Sequence, residues 1–169
     1  MKRAKVAIIM GSDSDWPTLE ACYQDLTAWG VCVEAQILSA HRTPEQLRAY
    51  VTEAEARGVE VFIAAAGMAA ALPGAVAAYT IRPVIGVPLA CGPLQGVDSL
   101  LSIVQMPPGV PVATVAIGSA GAKNAAILAL QILSVADDGL KEALRKSKAA
   151  QSQTVDNKNR SLQERIARG

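Results

Sequence analysis

Histidine occurs once in these 169 residues, at position 41, so any proton transfer near neutral pH that needs an imidazole must use it. Cysteine occurs three times, at Cys22, Cys32 and Cys91. The odd number and the lack of metal-site spacing favour a reduced, cytoplasmic protein over a disulfide framework. One histidine and scattered cysteines do not make a zinc site, so no metal is expected. Charge of one sign is also scarce. Sixteen basic and 15 acidic side chains leave a net charge of +1 and no reason to expect a nucleic-acid or membrane surface. The one segment that could pass for a membrane span, Val61 to Tyr79, carries no charge, but it is alanine-rich, is interrupted by Gly67, Pro73 and Gly74, and meets Arg82 soon after. A buried strand followed by a buried small-residue helix explains it better than a membrane span. Lys2, Arg3 and Lys5 precede only the short apolar run Val6 to Met10, which reads as a first strand rather than a signal sequence.

The loops lack several familiar chemistries. Gly118 to Asn124 contains Lys123 but neither the spacing nor the hydroxyl of a Walker phosphate loop. No GxGxxG fingerprint follows the first strand. Nothing places a carboxylate behind His41 as a serine triad requires. Ala64 to Ala66 stand where a phospho-accepting receiver domain would carry its aspartate.

What is present is an alternation of short apolar runs and helical stretches. Strands are predicted over Val6 to Met10, Val31 to Leu38, Val59 to Ala65, Val84 to Val87 and Val112 to Ile117. Helices are predicted from about Trp16 and Pro17, over Pro44 to Arg57 with a stop at Gly58, over Gly96 to Gln105, and over Ala122 to Val135. Pro83 and Pro88 bound the fourth strand, and Gly118 to Gly121 form a small-residue turn. Such alternation implies a parallel sheet covered by helices on both faces. Residues 1–136 are read as one α/β domain. From 137 to 169 the composition changes to Lys141, Arg145, Lys146, Lys148, Lys158, Arg160, Arg165 and Arg168 with few acids. A solvated helix that packs on a neighbouring subunit is the expectation there, with a nucleic-acid tail as the alternative.

In such sheets ligands bind beyond the carboxyl ends of the strands. Three loops should converge at that end. After the first strand come Gly11, Ser12, Asp13, Ser14 and Asp15, where Gly11 permits a sharp turn and the polar side chains can bind a ligand or cap a helix through Ser14 or Asp15. After the second come Ser39, Ala40, His41 and Arg42; Thr43 can cap the next helix, with Pro44 in its first turn and Gln46 placed for a capping box. A proton carrier and a fixed cation thus share a strand-to-helix turn whose N–H groups favour an anion. After the third strand Gly67 stands where backbone can approach a ligand closely.

With these residues in view, roughly Lys5 to Leu133 resembles the class I N5-carboxyaminoimidazole ribonucleotide mutases of purine biosynthesis. The resemblance rests on Gly11 to Asp15, on Ser39 Ala40 His41 Arg42 Thr43 Pro44, on Leu72 Pro73 Gly74, and most of all on Gly96 Val97 Asp98 Ser99 Leu100 Leu101 Ser102 Ile103 Val104 Gln105 Met106 Pro107. It implies a flavodoxin-like three-layer domain with a C-terminal helix, assembled as a homo-octamer, without metal, nucleotide or organic cofactor. The implied reaction moves a carboxylate from the exocyclic nitrogen of aminoimidazole ribonucleotide to ring carbon C4. By analogy Ser12, Ser14, Asp15, Ser39 and Arg42 match positions that hold the ribose and phosphate, and His41 matches the catalytic histidine. Ala66, Gly67, Ala70 and Leu72 match the loop over the ring and carboxylate, and Ala40 and Ala71 complete the expected substrate-binding set.

One departure stands out. The family pattern before Leu Pro Gly reads Gly Ala Gly Gly Ala Ala His, and this chain has Ala65 Ala66 Gly67 Met68 Ala69 Ala70 Ala71. A second active-site histidine is thus Ala71, and a glycine is Met68. An active mutase is the expectation because His41 keeps the proton-transfer role. A non-catalytic nucleotide-binding or assembly protein on the same fold is the alternative that Ala71 motivates.

Overall fold

A computed structural model describes residues 4–168. Its sheet has five strands, all parallel, in the order β2-β1-β3-β4-β5. β1 (Val6–Met10) and β3 (Val61–Gly67) lie at its centre, and β2 (Val33–Ile37) forms one edge. β4 (Val84–Leu89) follows β3, and the two-residue β5 (Ala113–Thr114) closes the other edge. Every residue of β1 and β4 is buried, and β3 is buried up to Ala66. This is why those runs are apolar without alternation: each has a covered face on both sides.

The pleat assigns the faces. Ala7, Ile9, Phe62, Ala64, Ala66 and Val84 join one core with Leu47, Val51 and Ala54 of α2 (Pro44–Arg57), Val76 of α3 (Leu72–Ala77) and Ile103 of α4 (Val97–Val104). Val6, Ile8, Ile63 and Ile85 alternate to the opposite face and are equally buried. α1 (Trp16–Ala28) buries Leu19, Cys22 and Leu26, and α5 (Ser119–Leu133) buries Ala122, Ala125, Ala126 and Ala129. α2 begins with Pro44 at its first position and ends at Gly58, whose φ of +108° supplies the left-handed cap.

Four local expectations are corrected. Pro88 lies inside β4, paired with Ala66, rather than bounding the strand. Its carbonyl accepts from the Gly118 N–H at 2.8 Å on the β5 side. The fifth strand shrinks from Val112–Ile117 to Ala113–Thr114 for a related reason. Val115 still donates to the Gly86 carbonyl at 3.1 Å, but the return bond would need the N–H that Pro88 lacks. The turn expected over Gly118 to Gly121 is confined to its start, because α5 already begins at Ser119. A Cβ on Gly121 would lie 1.6 Å from the Ala116 carbonyl oxygen, so close backbone approach, not a turn, requires glycine there. The helix after β3 is only six residues, since Met68 to Ala71 form a loop first.

Two compact units divide the chain within α5, the first ending at Ala129 and the second starting at Leu130. The second contains α6 (Asp138–Arg168), a 31-residue helix with no buried residue.

Candidate active site

Following one edge strand and then turning back across β1 to β3 creates a switch in strand order between β1 and β3. Ligands of open α/β sheets bind at the carboxyl side of such a point, and flavodoxin-like order is a standing example of the rule. A cavity of about 340 Å³ lies there, lined by residues that follow β1, β2, β3 and β4.

The β1 loop supplies its first polar wall. Ser12 caps a single 3-10 turn over Asp13–Asp15: its Oγ accepts from the Ser14 N–H at 3.3 Å, while Asp15 Oδ2 accepts from the Ser12 N–H at 3.0 Å. The capping residue is therefore Ser12 rather than Ser14 or Asp15, and Asp15 makes no side-chain cap to α1. Burial pushes the Asp15 carboxyl above the usual carboxylate range, aided by Asp13; the N–H groups of Ser12 and Gly11 oppose the shift.

The β2 loop supplies the second wall. Thr43 does not form the expected capping box. Its Oγ1 accepts from the Ser39 N–H at 3.0 Å and donates back to the Ser39 carbonyl at 3.2 Å. Ser39 Oγ accepts from the Arg42 N–H at 3.2 Å and from its Nε at 3.3 Å, and Arg42 Nη2 donates to the Gly11 carbonyl at 2.9 Å. The side chain that closes the loop is thus spent on the loop itself, and the guanidinium ties the β2 loop to the β1 loop. His41 is exposed on this turn and lines the cavity beside Ala40 and Arg42. Among the described residues no hydrogen bond ties the His41 side chain.

The β3 loop supplies an apolar wall of Ala66, Gly67, Met68, Ala70, Ala71 and Leu72. Ala70 N–H returns to the Gly67 carbonyl at 3.1 Å, and Met68 and Ala70 take positive φ of 54° and 23°, conformations that a β-carbon disfavours. Gly67 is fixed by its neighbour: a Cβ there would stand 1.7 Å from Cys91 Sγ.

The cavity brings together Ser12, Asp15, Ser39, Ala40, His41, Arg42, Ala66, Gly67, Ala70, Ala71 and Leu72. Ser14 is left outside the lining and donates instead to Ser12 Oγ at 2.9 Å. Met68 and Cys91, which carried no site role in the sequence reading, also line it. The missed signal was positional: Cys91 follows β4, whose carboxyl end lies beside that of β3. No group of three potential metal ligands occurs among the described residues.

A polar half with a guanidinium, hydroxyls and helix-start N–H groups suits a phosphorylated sugar. A small-residue half suits a flat ring and a dry reaction space. Comparison with known proteins points the same way. The sequence model of the AIR carboxylase family matches residues 5–154. The N5-carboxyaminoimidazole ribonucleotide mutase of Pyrococcus abyssi is 58% identical over 142 residues, 84% of this chain and 80% of that protein. The enzyme of that name from Pseudomonas aeruginosa is 55% identical over 152 residues, 90% and 93% of the two chains. The crystal structure of Treponema denticola PurE superposes with a TM-score of 0.82 at 30% identity, covering 90% of this chain and 94% of that one. Matching the family over nearly the whole α/β unit, the chain belongs to the AIR carboxylase family.

Proposed function

We propose that the protein is an isomerase of de novo purine biosynthesis that moves a carboxylate from N5 to C4 of 5-aminoimidazole ribonucleotide. The observation that carries this reading is the single cavity that joins the only histidine and Arg42 to a wall of small residues. Arg42, Ser39, Ser12 and Asp15 hold the ribose and phosphate, and Ala40, Ala66, Gly67, Ala70, Ala71 and Leu72 enclose the ring and its carboxylate. Ser14 acts only through Ser12, to which it is hydrogen bonded.

His41 is the proton carrier. Its imidazolium donates to the exocyclic nitrogen as the N–CO2 bond breaks, and the bonding pair stays on nitrogen. Carbon dioxide and a neutral aminoimidazole result. The enamine-like C4 then attacks the CO2 carbon, and His41 takes the C4 proton, which restores the aromatic ring and the imidazolium together. Protons and electrons balance without a metal or organic cofactor. Holding CO2 beside C4 replaces a bimolecular encounter by a contact, the larger share of the rate advantage.

The exposed row Leu94, Val97, Leu101 and Val104 on and before α4 supports assembly, which we propose is a cytoplasmic homo-octamer. Residues 137–169 then form a C-terminal extension that packs on a neighbouring subunit. The exposed Val155, Leu162 and Ile166 support that role. No helix among the described residues is long and apolar enough to cross a membrane. Neither nucleic acid nor membrane is a partner in this reading.

The test is ATP-free interconversion of the two carboxylated aminoimidazole ribonucleotides by purified protein, followed by ultraviolet absorbance, with His41→Asn alongside. Turnover in the wild type and none in the variant, with substrate still bound, is the expected result. Equal turnover in both would remove His41 from the mechanism. Binding without turnover in the wild type favours the second reading, a non-catalytic nucleotide-binding protein, for which Ala71 in the cavity wall is the specific motive.

A further inference from the structure

Gly96 to Pro107 is the longest stretch of family resemblance, yet none of its residues lines the cavity. What it holds is the carboxyl end of β4. Ser99, in the first turn of α4, is the one buried polar side chain among the described residues. Its hydroxyl proton is shared between the Leu89 carbonyl at 3.0 Å and the Gly96 carbonyl at 2.9 Å. The Leu89 carbonyl also accepts from the Cys91 N–H at 3.0 Å. One oxygen atom thus joins the start of α4 to the turn that carries Cys91. Gly96 permits the approach: its φ is +88°, and a Cβ there would stand 3.1 Å from Ala90 Cα and 3.2 Å from the Leu89 carbonyl oxygen. On the cavity side, Cys91 Sγ stands 1.7 Å from where a Cβ on Gly67 would be, and Gly67 is the register partner of Leu89.

A buried hydroxyl is costly unless it is bonded, and this one is bonded to a strand end as well as to its own helix. Ser102 shows the contrast: it is exposed, and its hydroxyl donates to the Asp98 carbonyl of α4 at 2.8 Å. We infer that Ser99 is a positioning residue for the apolar half of the cavity: by holding the Leu89 carbonyl it sets Cys91 against Gly67 and so fixes the wall that receives the ring. This inference rests on the mutase reading. The polar half, built by the loops after β1 and β2, does not depend on Ser99. Loss of its bond should therefore leave binding of the phosphorylated end intact and misplace the ring, which lowers kcat without raising KM.

The experiment compares Ser99→Ala with the wild type. The variant leaves no bare acceptor, since the Leu89 carbonyl keeps the Cys91 N–H and the Gly96 carbonyl keeps the Leu100 N–H at 2.9 Å. Two readings are taken on the folded protein: mutase kinetics by absorbance, and the rate at which iodoacetamide alkylates Cys91, followed by peptide mass spectrometry. The expected result is a kcat lower by about tenfold, a KM within about twofold of the wild type, and severalfold faster alkylation of Cys91. Ser102→Ala should match the wild type in both readings. Ser99→Cys, which keeps the packing and only a weak donor, should fall between wild type and Ser99→Ala, and it decides the matter if Ser99→Ala does not fold. An unchanged kcat, a rise in KM alone, or unchanged alkylation of Cys91 overturns the role of Ser99, while wild-type turnover keeps the mutase reading standing. Absence of turnover in the wild type defeats the mutase reading and this inference with it.

Discussion

The contact between Gly67 and Cys91 gives a test of the site that needs no substrate. In Gly67→Ala the new methyl carbon would lie 1.7 Å from Cys91 Sγ, and ordinary contact begins at 3.4 Å. The next neighbours, Cys91 Cβ and the Leu89 carbonyl oxygen, are both at 3.5 Å and already acceptable. One sulfur atom is the whole obstacle. Cys91 is exposed, so its thiol can turn about χ1, and the cost should sit at the lower end of overpacking, about 1–2 kcal/mol. Cys91→Ala alone removes an exposed atom and should cost within about 0.5 kcal/mol. The double variant should recover most of the loss, giving a coupling of about 1–2 kcal/mol between the two positions. Urea unfolding of the four proteins measures this directly. Substrate binding, measured by calorimetry, should follow the same cycle, because Gly67 and Cys91 share the cavity wall. Additivity within about 0.5 kcal/mol would refute the reasoning, since it would mean that the sulfur does not determine why glycine stands at 67.

Arg42→Ala removes a charged donor from the polar half and should weaken binding of the phosphorylated substrate by about 10–100-fold, as a lost charge-assisted hydrogen bond does; titration calorimetry would show it. The raised carboxyl of Asp15 makes the folded state hold a proton that the unfolded chain releases from about pH 3.8 upward. Its contribution to stability is therefore neutral below that pH and becomes unfavourable as pH rises through the folded value. Asp15→Asn should be more stable than the wild type at pH 7, with the difference shrinking in acid, as read from urea midpoints across pH. The sign of a glycine-to-alanine change should depend on its neighbour. Gly121→Ala meets a backbone oxygen at 1.6 Å and should lose about 2–3 kcal/mol despite better helix propensity. Gly139→Ala, in α6 and facing only the Asp137 side chain at 3.3 Å, should gain up to about 1 kcal/mol; thermal unfolding distinguishes them.

Most of the fold was legible because its strands are buried on both faces and bounded by turn residues. Val6–Met10 and Pro44–Arg57 occur with the predicted ends. The misreadings share one cause: local grammar names groups able to do a job, and tertiary contacts choose among them. Thr43 has the chemistry of a helix cap, but Ser39 lies near enough to occupy its hydroxyl, and the loop gains the closure that presents His41. Pro88 was read as a strand end because it lacks a donor. It sits within β4 because its missing N–H would face the edge strand β5, so the ladder to β3 loses no bond. Cys91 carries no site signature in the sequence, because its relation to Gly67 exists across strands.

The division of the cavity into a polar and an apolar half follows from strand order. β2 and β1 are neighbours, so the loops that carry Ser39, His41, Arg42, Ser12 and Asp15 fall on one side, joined by the bond from Arg42 to the Gly11 carbonyl. β3 and β4 are neighbours on the other side, and their loops carry Gly67, Met68, Ala71 and Cys91. In the proposed reading, a ligand with a charged end and a reactive ring then has only one orientation, phosphate toward β2 and ring toward β4. Reversal would set a phosphate against alanines and methionine and leave Arg42 without its anion, a loss of several kcal/mol in desolvation alone. On that reading orientation is decided before any chemistry, and His41, which shares its loop with Arg42, is positioned by the same event.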